Sequence, residues 1–216
     1  MDADWSVACG ADDPTIAVPW SNADDSLAYV NLRAAPEQIE KISEAQQHLA
    51  LAEALLAWNQ PAGNFFTAKC DVWKYPAALF DAEDDSRFAF AQACYVDCLL
   101  VAEDEFSNFA AMEAMAKRWC ALARTLPSQN CRCEWVVRRA WIRTEPEMPS
   151  AGAAAAEWRS GFAATLYVWG YGATGEQADS AWAQALRMLM EPMCAASANA
   201  YNKFVPSPPR ASSSTG

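Results

Sequence analysis

The chain has 216 residues, 53% of them hydrophobic, and a net charge of −11. That is enough apolar material for one sizeable core, and nothing in the length requires a second domain. No apolar run approaches the roughly 20 residues that cross a bilayer, and the acidic start MDADWSVACGADD lacks the basic, then apolar order of a secretory signal, so the expectation is a cytoplasmic protein with no membrane association.

Residues 1 to 35 are rich in Asp, Asn, Ser and Pro and read as an irregular leader packed on the domain, with LAYVNL (27 to 32) as its one strand-like run. From Pro36 the pattern turns helical. Proline sits in the first turn, Glu37 and Glu40 lie at the positive end of the dipole, and Ile39, Ile42, Leu49 and Leu56 recur at near-helical spacing until Pro61 and Gly63 in WNQPAGN. AKCDVWKY (68 to 75) and FAFAQACYVDCLLV (88 to 101) read as a strand pair across the acidic turn DAEDDS. Glu103, Asp104 and Glu105 then open a helix with the apolar stripe Phe109, Met112, Ala116, Trp119, Ala123 and Leu126, stopped by Pro127.

The plan then recurs. CEWVVRRAWI (133 to 142) and FAATLYVWGYG (162 to 172) read as strands joined by a long connection at 144 to 160. A helix follows, with Thr174 and Gln177 at capping-box spacing, an apolar face of Ala178, Ala181, Trp182, Ala185 and Leu189, and Pro192 as its end. KCDVW resembles RCEWV, and YVDCLLVAEDE resembles YVWGYGATGEQ, at the same places in a strand, strand, helix unit, which raises the option of a duplicated ββα unit. The fold class expected is α+β: an antiparallel sheet of four to five strands with about three helices packed on one face. One domain should span residues 1 to 205, with a Ser- and Pro-rich disordered tail at 206 to 216.

Three motifs invite chemistry and are set aside. Gly170, Gly172 and Gly175 spell G-x-G-x-x-G, but a dinucleotide site needs a second parallel strand downstream, and the helix here runs into the tail. The glycines are read instead as a strand exit at positive φ (Gly170, Gly172) and a close helix approach (Gly175). The eight cysteines are expected as reduced thiols. C-x₃-C at 94 and 98 and C-x-C at 131 and 133 each put two sulfurs on one strand face, yet a structural zinc wants four ligands and the single histidine, His48, lies far away. No metal, cofactor or catalytic residue is assigned.

Charge is unevenly spread: residues 1 to 113 hold 20 of the 27 acids and 5 of the 16 bases. The basic cluster Lys117, Arg118, Arg124, Arg132, Arg138, Arg139 and Arg143, interleaved with Trp119, Trp135 and Trp141, is read as pairing with the acidic half rather than as a nucleic-acid surface, because the total charge opposes phosphate. Asp71 and Asp97 are charges inside strands, which must be solvated, paired or functional. Alternation places Asp71 with Lys69 and Trp73, and Asp97 with Tyr95 and Leu99, and Arg138 or Arg139 is the natural counter-ion. The candidate ligand or partner face is Asp71, Trp73, Asp97, Arg138, Arg139, Tyr167 and Trp169. Trp5 and Trp20, in the polar leader, are the tryptophans core packing explains least.

The functional expectation is a non-enzymatic binding protein of the inhibitor or immunity type, recognising a basic protein partner through an acidic surface. The alternative is a small-molecule-binding protein or enzyme using the face around Asp71, Asp97, Arg138 and Tyr167.

Overall fold

The computed structural model describes residues 1–23, 27–76, 88–127, 130–144 and 157–201, with backbone alone at 144, 157 and 196–201. The expected tail at 206 to 216, the DAEDDS turn and most of the connection at 144 to 160 lie outside the described residues.

The chain folds as α+β with a mixed six-stranded sheet. The strands are β1 (Asp2–Ala8), β2 (Ile16–Val18), β3 (Phe65–Pro76), β4 (Phe90–Leu100), β5 (Cys131–Thr144) and β6 (Glu157–Gly172). Their order is β1-β5-β6-β4-β3, with β2 continuing the β1 edge along β5. The four longer strands pair antiparallel with one another, as the sequence predicts, but β1 and β2 run parallel to β5. The leader is therefore not irregular. Its first residues alternate, so Ala3 and Trp5 pack into the main core while Asp2, Asp4 and Ser6 face the other way. LAYVNL, by contrast, contributes only an isolated bridge at Ala28.

The helix expected from Pro36 is three pieces: a 3-10 turn (Pro36–Lys41), α1 (Ser43–Gln47) and α2 (Leu49–Trp58). Ile42 and His48 break it in extended conformations, and His48 is held edge-on to the Trp182 ring at 5.2 Å. The next helix is also split, into α3 (Glu103–Phe106) and α4 (Phe109–Ala123), because Asn108 caps α4 by accepting from the amides of Ala110 and Ala111. The predicted stripe on α4 is buried at Met112, Ala116, Trp119 and Ala123. Helix α5 (Gly175–Tyr201) opens with the expected cap, Thr174 Oγ1 accepting from the Gln177 amide. It does not stop at Pro192. Proline removes one backbone bond, but Leu189 and Met193 are buried on either side of it, and that packing carries the helix through.

Helices α2, α4 and α5 cover one sheet face and build the main core around Trp58, Trp119, Trp135 and Trp182. The opposite face is covered at one end by a smaller core in which Val18, from β2, and Phe106, from α3, meet Leu99, Ala140 and Ala163. The expectation that every helix packs on one face thus fails at α3.

The glycines serve helix packing differently from the sequence reading. Neither Gly170 nor Gly172 has a positive φ; a Cβ on Gly170 would sit 2.6 Å from both the Ala178 carbonyl oxygen and Trp182 Cα, whereas one on Gly175 would meet nothing within 4 Å. The close approach of α5 to the sheet is made at Gly170 and Gly172.

Strand, strand, helix occurs twice, as β3-β4-α4 and β5-β6-α5, and the two units meet along β4 and β6. Tyr95 lies directly opposite Tyr167 there, while Asp71 faces Tyr95 as Glu134 faces Tyr167. One row across the sheet thus reads Asp71, Tyr95, Tyr167, Glu134, Asp4.

Candidate functional site: the open face of the sheet

Strand alternation and register together decide which side chains share the face away from α2, α4 and α5. On β3 these are Asp71, Trp73 and Tyr75; on β4, Tyr95, Asp97 and Leu99; on β6, Thr165, Tyr167, Trp169 and Tyr171; on β5, Arg132, Glu134, Val136 and Arg138. Six of the seven residues singled out from the sequence, Asp71, Trp73, Asp97, Arg138, Tyr167 and Trp169, are therefore on one face. Arg139 is not: it alternates with Arg138, falls on the helix side and is exposed there.

Beyond the smaller core, this face carries a ladder of rings across three strands. Trp73 contacts Tyr95 at 6.2 Å between centroids, Tyr95 contacts Tyr167 at 6.2 Å, and Tyr167 stacks on Trp169 at 5.6 Å and 17°. These separations are those of favourable aromatic pairs. Ala93 lies between Trp73 and Trp169 in the register, leaving the indoles to stand above a small residue. The four rings are half-buried. Their hydroxyl and indole groups make them amphipathic, so they tolerate water yet present large rigid surfaces for contact.

Charges frame the ladder. Arg132 lies over the Trp169 ring at 5.6 Å and is held between Asp2, at 3.9 Å, and Glu134, at 3.7 Å. Glu134 also accepts from Ser6 at 2.9 Å. Arg138 donates to the Tyr167 hydroxyl at 3.3 Å. Asp71, at the far end of the tyrosine row, is exposed.

Asp97 corrects one expectation. It is 5% exposed, and its partner is Thr165 on the facing strand, whose hydroxyl donates to Oδ1 at 2.7 Å. Among the described residues no arginine reaches it as an ion pair; Arg138 goes to Tyr167, and Arg139 is on the other face. Burial pushes the Asp97 carboxyl up to about 6, while Thr165, Arg138 and Lys69 pull it partly back. Burial likewise raises the Tyr95 hydroxyl, helped by the nearby Asp97 and Asp71.

The remaining sequence candidates are placed away from this face. Cys94, Cys98, Cys131 and Cys133 are buried thiols outside any disulfide, on the helix side, and burial raises the Cys94 thiol to about 12, so they pack as small hydrophobes. Among the described residues no group of three His, Cys, Asp or Glu could hold a metal. His48 is half-buried beside Trp182, and burial, then Lys74, lowers its pKa. The basic cluster is dispersed. Lys117 pairs with Glu113, Arg124 with Asp4 and Arg132 with Asp2 and Glu134, while Arg159 reaches Glu103 and Arg187 reaches Glu53. No described helix is long and apolar enough to cross a membrane. Trp5 packs against the main core with Lys117 over its ring at 4.6 Å.

No family model, curated protein or solved structure matches this chain.

Sequence reasoning placed Tyr95 beside Asp97 without counting it in the face, and it missed Arg132, Glu134 and Thr165. The first two share the alternation of Arg138, so the signal was present in a single strand. Thr165 required the β4 to β6 register, which one sequence does not supply.

Proposed function

We propose that the chain is a non-enzymatic binding protein that docks a basic segment of a protein partner on the open face of its sheet. The observation that carries this reading is the half-buried ladder Trp73, Tyr95, Tyr167 and Trp169, bounded along its tyrosine row by the carboxylates of Asp71 and Glu134. Aromatic faces attract arginine and lysine side chains, and adjacent carboxylates complete the recognition of a cation. Tyrosine and tryptophan are also the residues that dominate binding hot spots. Arg132 and Arg138 share the face, but each is already engaged, by Asp2 and Glu134 and by the Tyr167 hydroxyl. The net charge of −11 steers a basic partner toward the molecule.

The test uses nona-arginine and nona-glutamate peptides, followed by intrinsic tryptophan fluorescence. The arginine peptide should bind saturably and the glutamate peptide should not. The Trp73→Ala, Tyr167→Ala double variant keeps the net charge but should bind the arginine peptide about tenfold more weakly, with an unchanged far-ultraviolet circular dichroism spectrum. Equal binding by variant and parent would reduce the interaction to bulk electrostatics and overturn the reading.

A second reading, a small-molecule or acid–base site on the same face, is favoured by the Asp97 carboxyl near 6 beside Thr165. Asp97→Asn separates the two, since peptide binding should survive it and acid–base chemistry should not.

A further inference from the structure

Where β3 meets β4 the register slips between Thr67 and Cys70, so Ala68 and Lys69 together oppose Asp97. A bulge of this kind forfeits ladder hydrogen bonds and re-aims side chains, and it is found next to functional sites more often than elsewhere. Here it is held by dedicated partners. The Asn59 side chain, itself buried, accepts from the Thr67 amide at 3.0 Å and donates to the Thr67 hydroxyl at 2.6 Å and to the Leu55 carbonyl at 2.8 Å. The Trp20 indole donates to the Ala68 carbonyl at 2.8 Å. Lys69 emerges from the bulge with its amine 5.0 Å from the Trp20 ring centroid. Trp20 is the tryptophan that core packing left unexplained, and this is its role.

The bulge forms one wall of a cavity of about 310 Å³. The other walls come from the leader and from the broken helix, with Leu32, Ile42 and Leu55 as its apolar side and Trp20 and Tyr29 flanking. Lys41 and Lys69 lie in the lining, against the single carboxylate of Glu44, which accepts from Ser43 at 3.0 Å. In a chain of net charge −11, a lining with net positive charge is a local inversion. Its size, and an apolar wall of Leu32, Ile42 and Leu55 facing polar and charged groups, fit a small-molecule site. Burial holds the Tyr29 hydroxyl protonated, up to about 12, so it remains a neutral donor.

We propose that this cavity binds a small monocarboxylate with an apolar body, the carboxylate at Lys41 and Lys69 and the body against Leu32, Ile42 and Leu55. The site is separate from the aromatic ladder and does not depend on the peptide-binding reading.

The experiment compares octanoate with octanamide, which share a chain length and differ in charge, by thermal shift and by titration calorimetry on the full chain. Octanoate should raise the melting temperature saturably, with octanamide about tenfold weaker. Lys69→Met should weaken octanoate about tenfold and leave octanamide unchanged, and Ile42→Trp, which fills the cavity, should abolish both. Trp73→Ala, in the aromatic ladder and outside the cavity lining, should leave octanoate binding intact. Absence of saturable binding, equal affinity for the acid and the amide, or an unaltered Lys69→Met would each overturn the proposal; the lysine variant keeps it testable should Ile42→Trp fail to fold.

Discussion

A single methyl group at Gly170 tests how α5 seats on the sheet. A Cβ there would stand 2.6 Å from the Ala178 carbonyl oxygen and from Trp182 Cα, and both are backbone atoms of one helix that cannot swing aside. The Trp182 amide nitrogen would be closer still, so restoring ordinary contact requires α5 to lift by about 1 Å or more, and such a gap forfeits at least about a quarter to a half of each dispersion well it crosses. The helix buries Trp182, Leu186, Leu189 and Met193 against the sheet and its neighbours, each worth about 2 kcal/mol of burial. The expected cost of Gly170→Ala is therefore about 2–4 kcal/mol, or roughly 6–12 °C in melting temperature for a chain of this size. Gly175→Ala is the internal control: its Cβ meets open space, and it should be neutral or stabilise by about 0.5 kcal/mol through reduced unfolded-state entropy. Urea denaturation of both variants decides the matter. A Gly170→Ala variant within about 0.5 kcal/mol of the parent, a typical surface-substitution effect, would refute the close-approach reasoning.

Two further outcomes follow from buried polar groups. The Asp97 carboxyl titrates near 6 in the folded chain, above its unfolded value, so the folded state binds the extra proton between about pH 4 and 6 and loses stability as pH rises through that window. Asp97→Asn keeps an acceptor for Thr165 and removes the charge, and should gain on the order of 2 kcal/mol at pH 7.5, with the gain gone by about pH 4, in denaturation series at several pH values. Asn59→Ala removes three hydrogen bonds, two of them to Thr67 at the bulge, and strands the Thr67 amide, for an expected loss of about 2–4 kcal/mol by the same assay.

The sequence was most informative where a short-range pattern decides the outcome. Alternation in KCDVW and YVDC put Asp71 with Trp73 and Asp97 with Tyr95, and the hairpin register then brought both pairs to one face. The stripe on α4 and the Thr174 cap on α5 were likewise local signals. The parallel edge was hidden because MDADWSVA alternates Asp with Ala and Trp, a period of two disguised as acidity. Pro192 misled because its cost is local while the packing of Met193 is not. The bulge and its cavity draw on residues from Trp20 to Cys70, whose meeting depends on the break at Ile42 and on the Asn59 clamp, neither of which periodicity reveals. The partner of Asp97 was assigned wrongly for the same reason: charge suggested arginine, and register supplied threonine.

The edge strand β1 finds its place only against β5, where Asp2 lies opposite Arg132, 130 residues further along. At synthesis rates of about 5–20 residues per second, that interval leaves the alternating segment without its partner for roughly 7 to 26 s. Throughout it, Ala3, Trp5 and Val7 form an apolar edge with no sheet to join, the kind of nascent surface chaperones hold. Loop closure over such a span is entropically slow to begin and is rewarded only once β5 is there to pair with. Strand β1 can thus be seated only after β5 has been made.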